Sequence, residues 1–89
     1  MSKTCPDELN KTILIKEKAF SRLEKECQYY QNEINNIQEK IIVMEKENPN
    51  NYEIITFNKL LDESIIILQD VYKKKDKMEE EIILLKKIL

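Results

Sequence analysis

The sequence predicts an all-α protein, a long antiparallel two-helix coiled-coil hairpin, and three observations carry that reading. The 89 residues contain no glycine and only two prolines, and glycine is the residue that tight turns most often require. Apolar residues recur at alternating spacings of four and three along two long stretches, the period of helices that pack along one seam. The break between the stretches falls at Pro49, close to the centre of the pattern. Abundant Lys, Glu, Ile and Leu with almost no loop chemistry belongs with long helices.

The first helix is expected over about 7–47. Pro6 precedes Asp7 and Glu8; proline suits the first helical position, and acids in the first turn complement the helix dipole. Its seam runs Leu9, Ile13, Phe20, Leu23, Cys27, Tyr30, Ile34, Ile37, Ile41 and Met44, with Lys16 the one polar member. The turn is expected at 48–50, where Pro49 ends the first helix. Asn50 or Asn51 can cap the next one, with Glu53 three residues after Asn50 as in a capping box. The second helix is expected over about 51–88. Its seam is Ile54, Phe57, Leu61, Leu68, Val71, Met78, Ile82, Leu85 and Leu89, interrupted only by Ser64 and Lys75. Residues 1–89 thus form one helical domain.

The register follows from the two seams. With the second helix folded back on the first, residues whose numbers sum to 98 face each other: Met44 with Ile54, Ile34 with Ser64, Cys27 with Val71, Ile13 with Leu85 and Leu9 with Leu89. The constant sum is automatic for two unbroken seams, but the pairing of a with d positions and the centring on Pro49 are not. Each polar exception falls opposite an apolar residue: Lys16 faces Ile82, Ser64 faces Ile34 and Lys75 faces Leu23. The ordinary reading is that the lysine stems snorkel at a wet rim and the serine bonds its own helix.

Composition excludes most chemistry. Without glycine there is no phosphate-cradling loop of the Walker or dinucleotide kind. Without histidine the usual general base and the commonest transition-metal ligand are missing. Two cysteines do not complete a structural zinc site. The expectation is a non-enzyme with no cofactor and no metal. Lys+Arg 15 against Asp+Glu 17 gives no basic excess for nucleic acid. No signal-peptide pattern and no apolar run near 18 residues is present, so no membrane partner is expected and the protein is expected to be soluble and intracellular. Asn10-Lys11-Thr12 matches a glycosylation acceptor, which has no meaning without secretion. Cys5 and Cys27 lie 22 residues apart along one rod, roughly 33 Å, too far for a disulfide.

The two helices differ in what they leave uncovered. Glu17, Glu24, Gln31 and Gln38 are typical of the residues flanking the first seam, which makes that helix one-sided. Leu60, Ile65, Ile67, Tyr72 and Ile88 flank the second, and Ile66, Ile83 and Leu84 lie further round. A helix that is apolar on more than one face is normally covered on more than one face. A lone seam also leaves its members only half buried, a thin return for ordering two long helices. The second helix is therefore expected to pack against a second copy, giving a four-helix arrangement, or against a client protein. Candidate client contacts are Tyr29, Ile66 and Tyr72 as anchors, with Glu63, Lys73 and Lys74 as polar partners. The run Lys73-Lys74-Lys75 with Lys77, followed by Glu79-Glu80-Glu81, reads first as a solvated face and second as a docking stripe.

Asn51-Tyr52-Glu53-Ile54 followed by Leu61-Asp62-Glu63-Ser64 resembles tubulin-binding cofactor A, a small helical chaperone of tubulin folding. The similarity runs ungapped back through Met44, Ile41, Lys40, Glu39, Glu33 and Tyr30 to Leu23, and forward to Asp70. The ungapped spacing across the turn is its most specific feature. The resemblance implies a cytoplasmic, cytoskeleton-associated chaperone that binds β-tubulin released from the chaperonin and holds it for αβ-heterodimer assembly, without nucleotide or chemistry. It also implies a three-helix bundle, whose third helix is absent from these 89 residues; self-association of the second helix is expected to stand in for it. The alternative is a generic coiled-coil adaptor or a prefoldin-like helical-hairpin chaperone.

Overall fold

The computed structural model describes residues 6–88. Two helices account for nearly all of them: α1, Pro6–Glu47, and α2, Glu53–Ile88. They lie side by side in opposite directions as a rod of 70 × 16 × 14 Å. The radius of gyration is 20.1 Å, against about 12 Å for a compact chain of this length. The fold is a hairpin.

The turn is built without glycine because it never needs a positive φ, and no described residue has one. Asn48 N–H donates to the Met44 carbonyl at 2.8 Å and closes α1. Asn51 N–H then donates to the Asn48 carbonyl at 3.0 Å, so residues 48–51 form one β-turn with Pro49 at its second position, where proline's fixed φ is favoured. The Asn48 side-chain oxygen accepts from Asn50 N–H at 3.2 Å and steadies the same turn. Of the two asparagines that could start α2, Asn51 does so: its Oδ1 accepts from Glu53 N–H at 3.0 Å. Its carbonyl accepts from Ile54 N–H at 3.1 Å. These are the bonds of an N-cap, which satisfies amides the helix cannot. Asp7 and Glu8 begin α1, while Lys46 ends α1 and Lys86 and Lys87 end α2, each sign matched to its end of the helix dipole.

The seam is where the heptads place it. Every buried residue described is a seam member: Leu9, Ile13, Cys27, Ile34, Ile37 and Ile41 on α1, and Ser64, Leu68, Val71 and Ile82 on α2. The remaining described seam positions are half-buried, as a two-helix contact dictates. Cys27, Ile34, Leu68 and Val71 form the densest cluster, with Leu23, Tyr30, Leu61 and Ile65 packed around it. Cross-helix polar contacts report the same register: Lys16 Nζ lies 2.9 Å from Glu81 Oε2, and Lys86 Nζ lies 3.2 Å from Glu17 Oε2. Cys27 is a buried free thiol. Cys5 and Leu89 lie outside the described residues, and with them the Leu9–Leu89 layer and the spacing of the two cysteines.

The three polar seam positions are accommodated in different ways. Lys16 reaches out of the seam to Glu81. This bond and the lysine charge hold the Glu81 carboxyl below its ordinary range. Lys75 carries its ammonium over the rings of Phe20 and Tyr72, 5.8 Å from each centroid, within reach of a cation–π attraction. Ser64 is buried in the seam, 4% exposed. No fully buried side-chain nitrogen or oxygen among the described residues lacks a hydrogen-bond partner.

Candidate client-binding surface

With the apolar seam consumed by the hairpin, whatever the chain recognises must be met by what remains outside. Both helices contribute. On α2, Leu60, Ile66, Ile67, Ile83, Leu84 and Ile88 are all exposed, Ile66 at 64%. Seven-residue spacing stacks Leu60 and Ile67 on one edge of the seam, and Ile65 and Tyr72 on the other. Ile66 and Lys73 share the outward face between them. Ile65 is half-buried, because it leans on the central cluster.

Helix α1 is less one-sided than its charged flanks suggest. Leu14, Ile15, Ile42 and Val43 are each more than half exposed. They are two adjacent apolar pairs, one near each end of α1, at positions turned away from α2. An adjacent pair set off the heptad stripe was the signal available in the sequence.

Two shallow grooves run along the edge that carries Leu60. One is lined by Tyr29, Glu33, Ile37, Phe57 and Leu60, the next by Glu39, Val43 and Met44, and both include Asn36 and Lys40. Lys40 spans the hairpin here, its ammonium 5.9 Å from the Phe57 centroid. Tyr29 is 63% exposed at the groove wall and stacks edge-on against Tyr30 with centroids 5.2 Å apart. The Glu33 carboxylate beside its hydroxyl raises the Tyr29 pKa above the ordinary tyrosine value. That phenol stays protonated and able to donate a hydrogen bond across the physiological range.

The six candidate contacts do not converge on one patch. Tyr29 lines the groove on the Leu60 edge. Tyr72 lines a separate groove with Glu24, Cys27, Gln31 and Lys75. Ile66 and Lys73 lie on the outward face between, and Glu63 is exposed one turn from Ile66. Lys74 is held by Asp70 at 3.0 Å within α2. The arrangement is a set of contacts distributed around a rod. A partner that used them together would have to wrap it.

Among the described residues no group of three or more His, Cys, Asp or Glu could hold a metal ion, and no helix is long and apolar enough to cross a membrane. No curated protein and no solved structure matches the chain. A protein-family comparison does: the family described as tubulin binding cofactor A matches residues 8–89. That match extends well past the stretch from Leu23 to Asp70 over which the sequence resemblance is plainest, taking in both helices and the turn. A match over nearly the whole length, on a chain folded as a two-helix rod, places it: this chain belongs to the tubulin binding cofactor A family.

Proposed function

We propose that this protein is a tubulin-folding chaperone that binds β-tubulin after its release from the chaperonin and holds it for αβ-heterodimer assembly, acting in the cytoplasm beside the cytoskeleton. The family match over residues 8–89 carries the reading. The exposed surface supports it. A holding chaperone needs apolar anchors and polar groups on a stable frame, and Tyr29, Ile66 and Tyr72, like Glu63, Lys73 and Lys74, stand exposed around the rod. Aromatic and large apolar anchors dominate interface energetics. Binding and release of this kind is non-covalent and needs no nucleotide. Self-association through α2 is the second partnership proposed, because that helix leaves the larger share of apolar side chains uncovered.

The test is direct. Incubated with purified tubulin, the protein is expected to form a complex containing the β subunit. The variant Ile66→Lys is expected to weaken capture about tenfold while circular dichroism shows unchanged helicity. No complex, under conditions where another cofactor A yields one, would overturn the reading and leave a coiled-coil adaptor in its place.

A further inference from the structure

Charge order along α2 carries the self-association further, to a particular face and register. We propose that α2 packs antiparallel on α2 of a second copy, about a two-fold axis level with residue 74, with Ile65 of each copy against Ile83 of the other and Lys73 paired with Glu80. The proposal rests on the reading that α2 self-associates, and it specifies how.

The hairpin supplies its own template. In the α1–α2 seam, facing residues sum to 98, and the flanking ion pair Glu17–Lys86 joins the next positions out. The same antiparallel geometry can be applied to the second stripe of α2, which runs through Asp62, Ile65, Gln69, Tyr72, Asp76, Glu79, Ile83 and Lys86 at alternating spacings of three and four. When facing residues sum to 148, Ile65 meets Ile83 and Asp62 meets Lys86. Tyr72 meets Asp76, and Gln69 meets Glu79. Apolar faces apolar, acid faces base, and hydroxyl and amide donors face carboxylates. The flanking position equivalent to Glu17–Lys86 then joins Lys73 to Glu80, twice by symmetry.

The alternatives carry repulsion or set apolar side chains against charges. A shift of one heptad in one direction sets Asp62 against Glu79; a shift in the other sets Asp76 against Glu79. A parallel, in-register pair sets Asp62, Asp76, Glu79 and Lys86 each against its own copy. On the opposite edge, the stripe through Leu60 and Ile67 meets its copy with Glu63 on Glu81 in one register, Lys74 on Lys77 in the next, and Leu60 on Lys77 with Ile67 on Asp70 in a third. Like charges held opposite each other cost energy at each contact. Like-charge approaches remain only near the axis in the chosen register, where Lys73 and Lys75 each lie one residue from it and Asp76 two; there the Lys75 ammonium is already drawn toward the Phe20 and Tyr72 rings.

The surface is available. Tyr72 is 41% and Ile83 47% exposed, and each borders a groove between the helices on this same side, with Glu24 and Gln31 in one and Glu17 and Phe20 in the other. Asp62, Lys73 and Glu80 are exposed and make no ion pair among the described residues. The stripe from Asp62 to Lys86 is about 36 Å long, enough for a contact at the small end of specific interfaces, roughly 1,200 Å².

Sedimentation equilibrium of the full chain, from about one to several hundred micromolar, tests the proposal. The unaltered protein is expected to dimerise. K73E alone and E80K alone are each expected to weaken dimerisation about tenfold, since two attractions become two repulsions. The double variant K73E/E80K is expected to recover it to within a few-fold. An equimolar mixture of the two single variants is expected to form the heterodimer in preference to either homodimer. Both side chains are exposed, so circular dichroism should show every variant fully helical. A protein that stays monomeric throughout overturns self-association altogether. A dimer indifferent to these reversals, or one that the double variant and the mixture fail to rescue, overturns this interface and leaves self-association standing. The tubulin reading is untouched by either result.

Discussion

At the scale of the residue, position relative to the seam decides what a side chain contributes. Ile34 is 5% exposed and belongs to the central cluster. Ile66, on the outward face of α2, is 64% exposed. Truncating Ile34 removes transfer energy and leaves a void that the adjoining turn cannot fully close. Ile34→Ala is therefore expected to destabilise by about 2–4 kcal/mol in urea denaturation, whereas Ile66→Ala should stay within about 0.5 kcal/mol. Equal losses would show that burial is not set by the heptad. This distinction was legible in the sequence, because all ten buried residues lie on two stripes that can be traced by spacing alone. The behaviour of the polar exceptions was only half legible. That Lys16 and Lys75 would snorkel follows from long stems beside a wet rim, and the structure shows Lys16 reaching to Glu81. That Lys75 settles between two rings depends on where Phe20 and Tyr72 end up across and along the seam, which spacing does not specify.

At the scale of the element, the helices are set by their ends as much as by their faces. Asn51 supplies both a side-chain and a backbone acceptor to the first amides of α2. Asn50 gives its amide to Asn48 and caps nothing. Asn51→Ala should thus cost about 1 kcal/mol and lower the thermal midpoint, while Asn50→Ala should cost clearly less. A larger loss at Asn50 would mean that the capping box through Glu53 forms after all. The sequence left both asparagines open because each precedes a plausible helix start. The choice falls to the β-turn: once Asn51 N–H is bonded to Asn48, Asn50 is inside the turn and cannot also begin the helix. The exposed pairs of α1 were harder to read. Leu14 and Ile15, like Ile42 and Val43, lie beside seam residues in sequence yet turn away from α2. The charged and amide residues around them dominate any average over that face. The candidate contacts on α2 were legible as exposed, but their spread over separate sides of the rod was not, since that depends on the edge of the seam on which each one falls.

At the scale of the whole molecule, a rod held by one seam is not equally strong along its length. Between the turn and the middle of the rod, Cys27, Ile34, Ile37 and Ile41 on α1 and Ser64, Leu68 and Val71 on α2 are all buried, four of them in the central cluster. Toward the open end the seam passes through Lys16, Phe20, Leu23, Lys75 and Met78, none of them buried. Ile82 is buried at the level of Lys16, and Leu9 and Ile13 are buried beyond this stretch. The wet middle interrupts the cooperativity that joins the two ends, and the distal segment has neither the turn nor the central cluster to tether it. Local opening draws on regions with few buried apolar contacts, and its free energy can fall far below that of global unfolding. Amide hydrogen exchange should accordingly divide the rod. Backbone amides over 27–41 and 61–71 are expected to be protected to near the global limit, and those over 9–20 and 76–86 at least about tenfold less. The proposed self-association through Ile65, Tyr72 and Ile83 would span both segments, so the contrast is expected of dilute protein and should narrow as concentration rises. Uniform protection along both helices in dilute protein would mean that the ion pairs Lys16–Glu81 and Lys86–Glu17 hold the open end as firmly as the buried cluster holds the turn. For partly exposed pairs that is more than their electrostatics can supply.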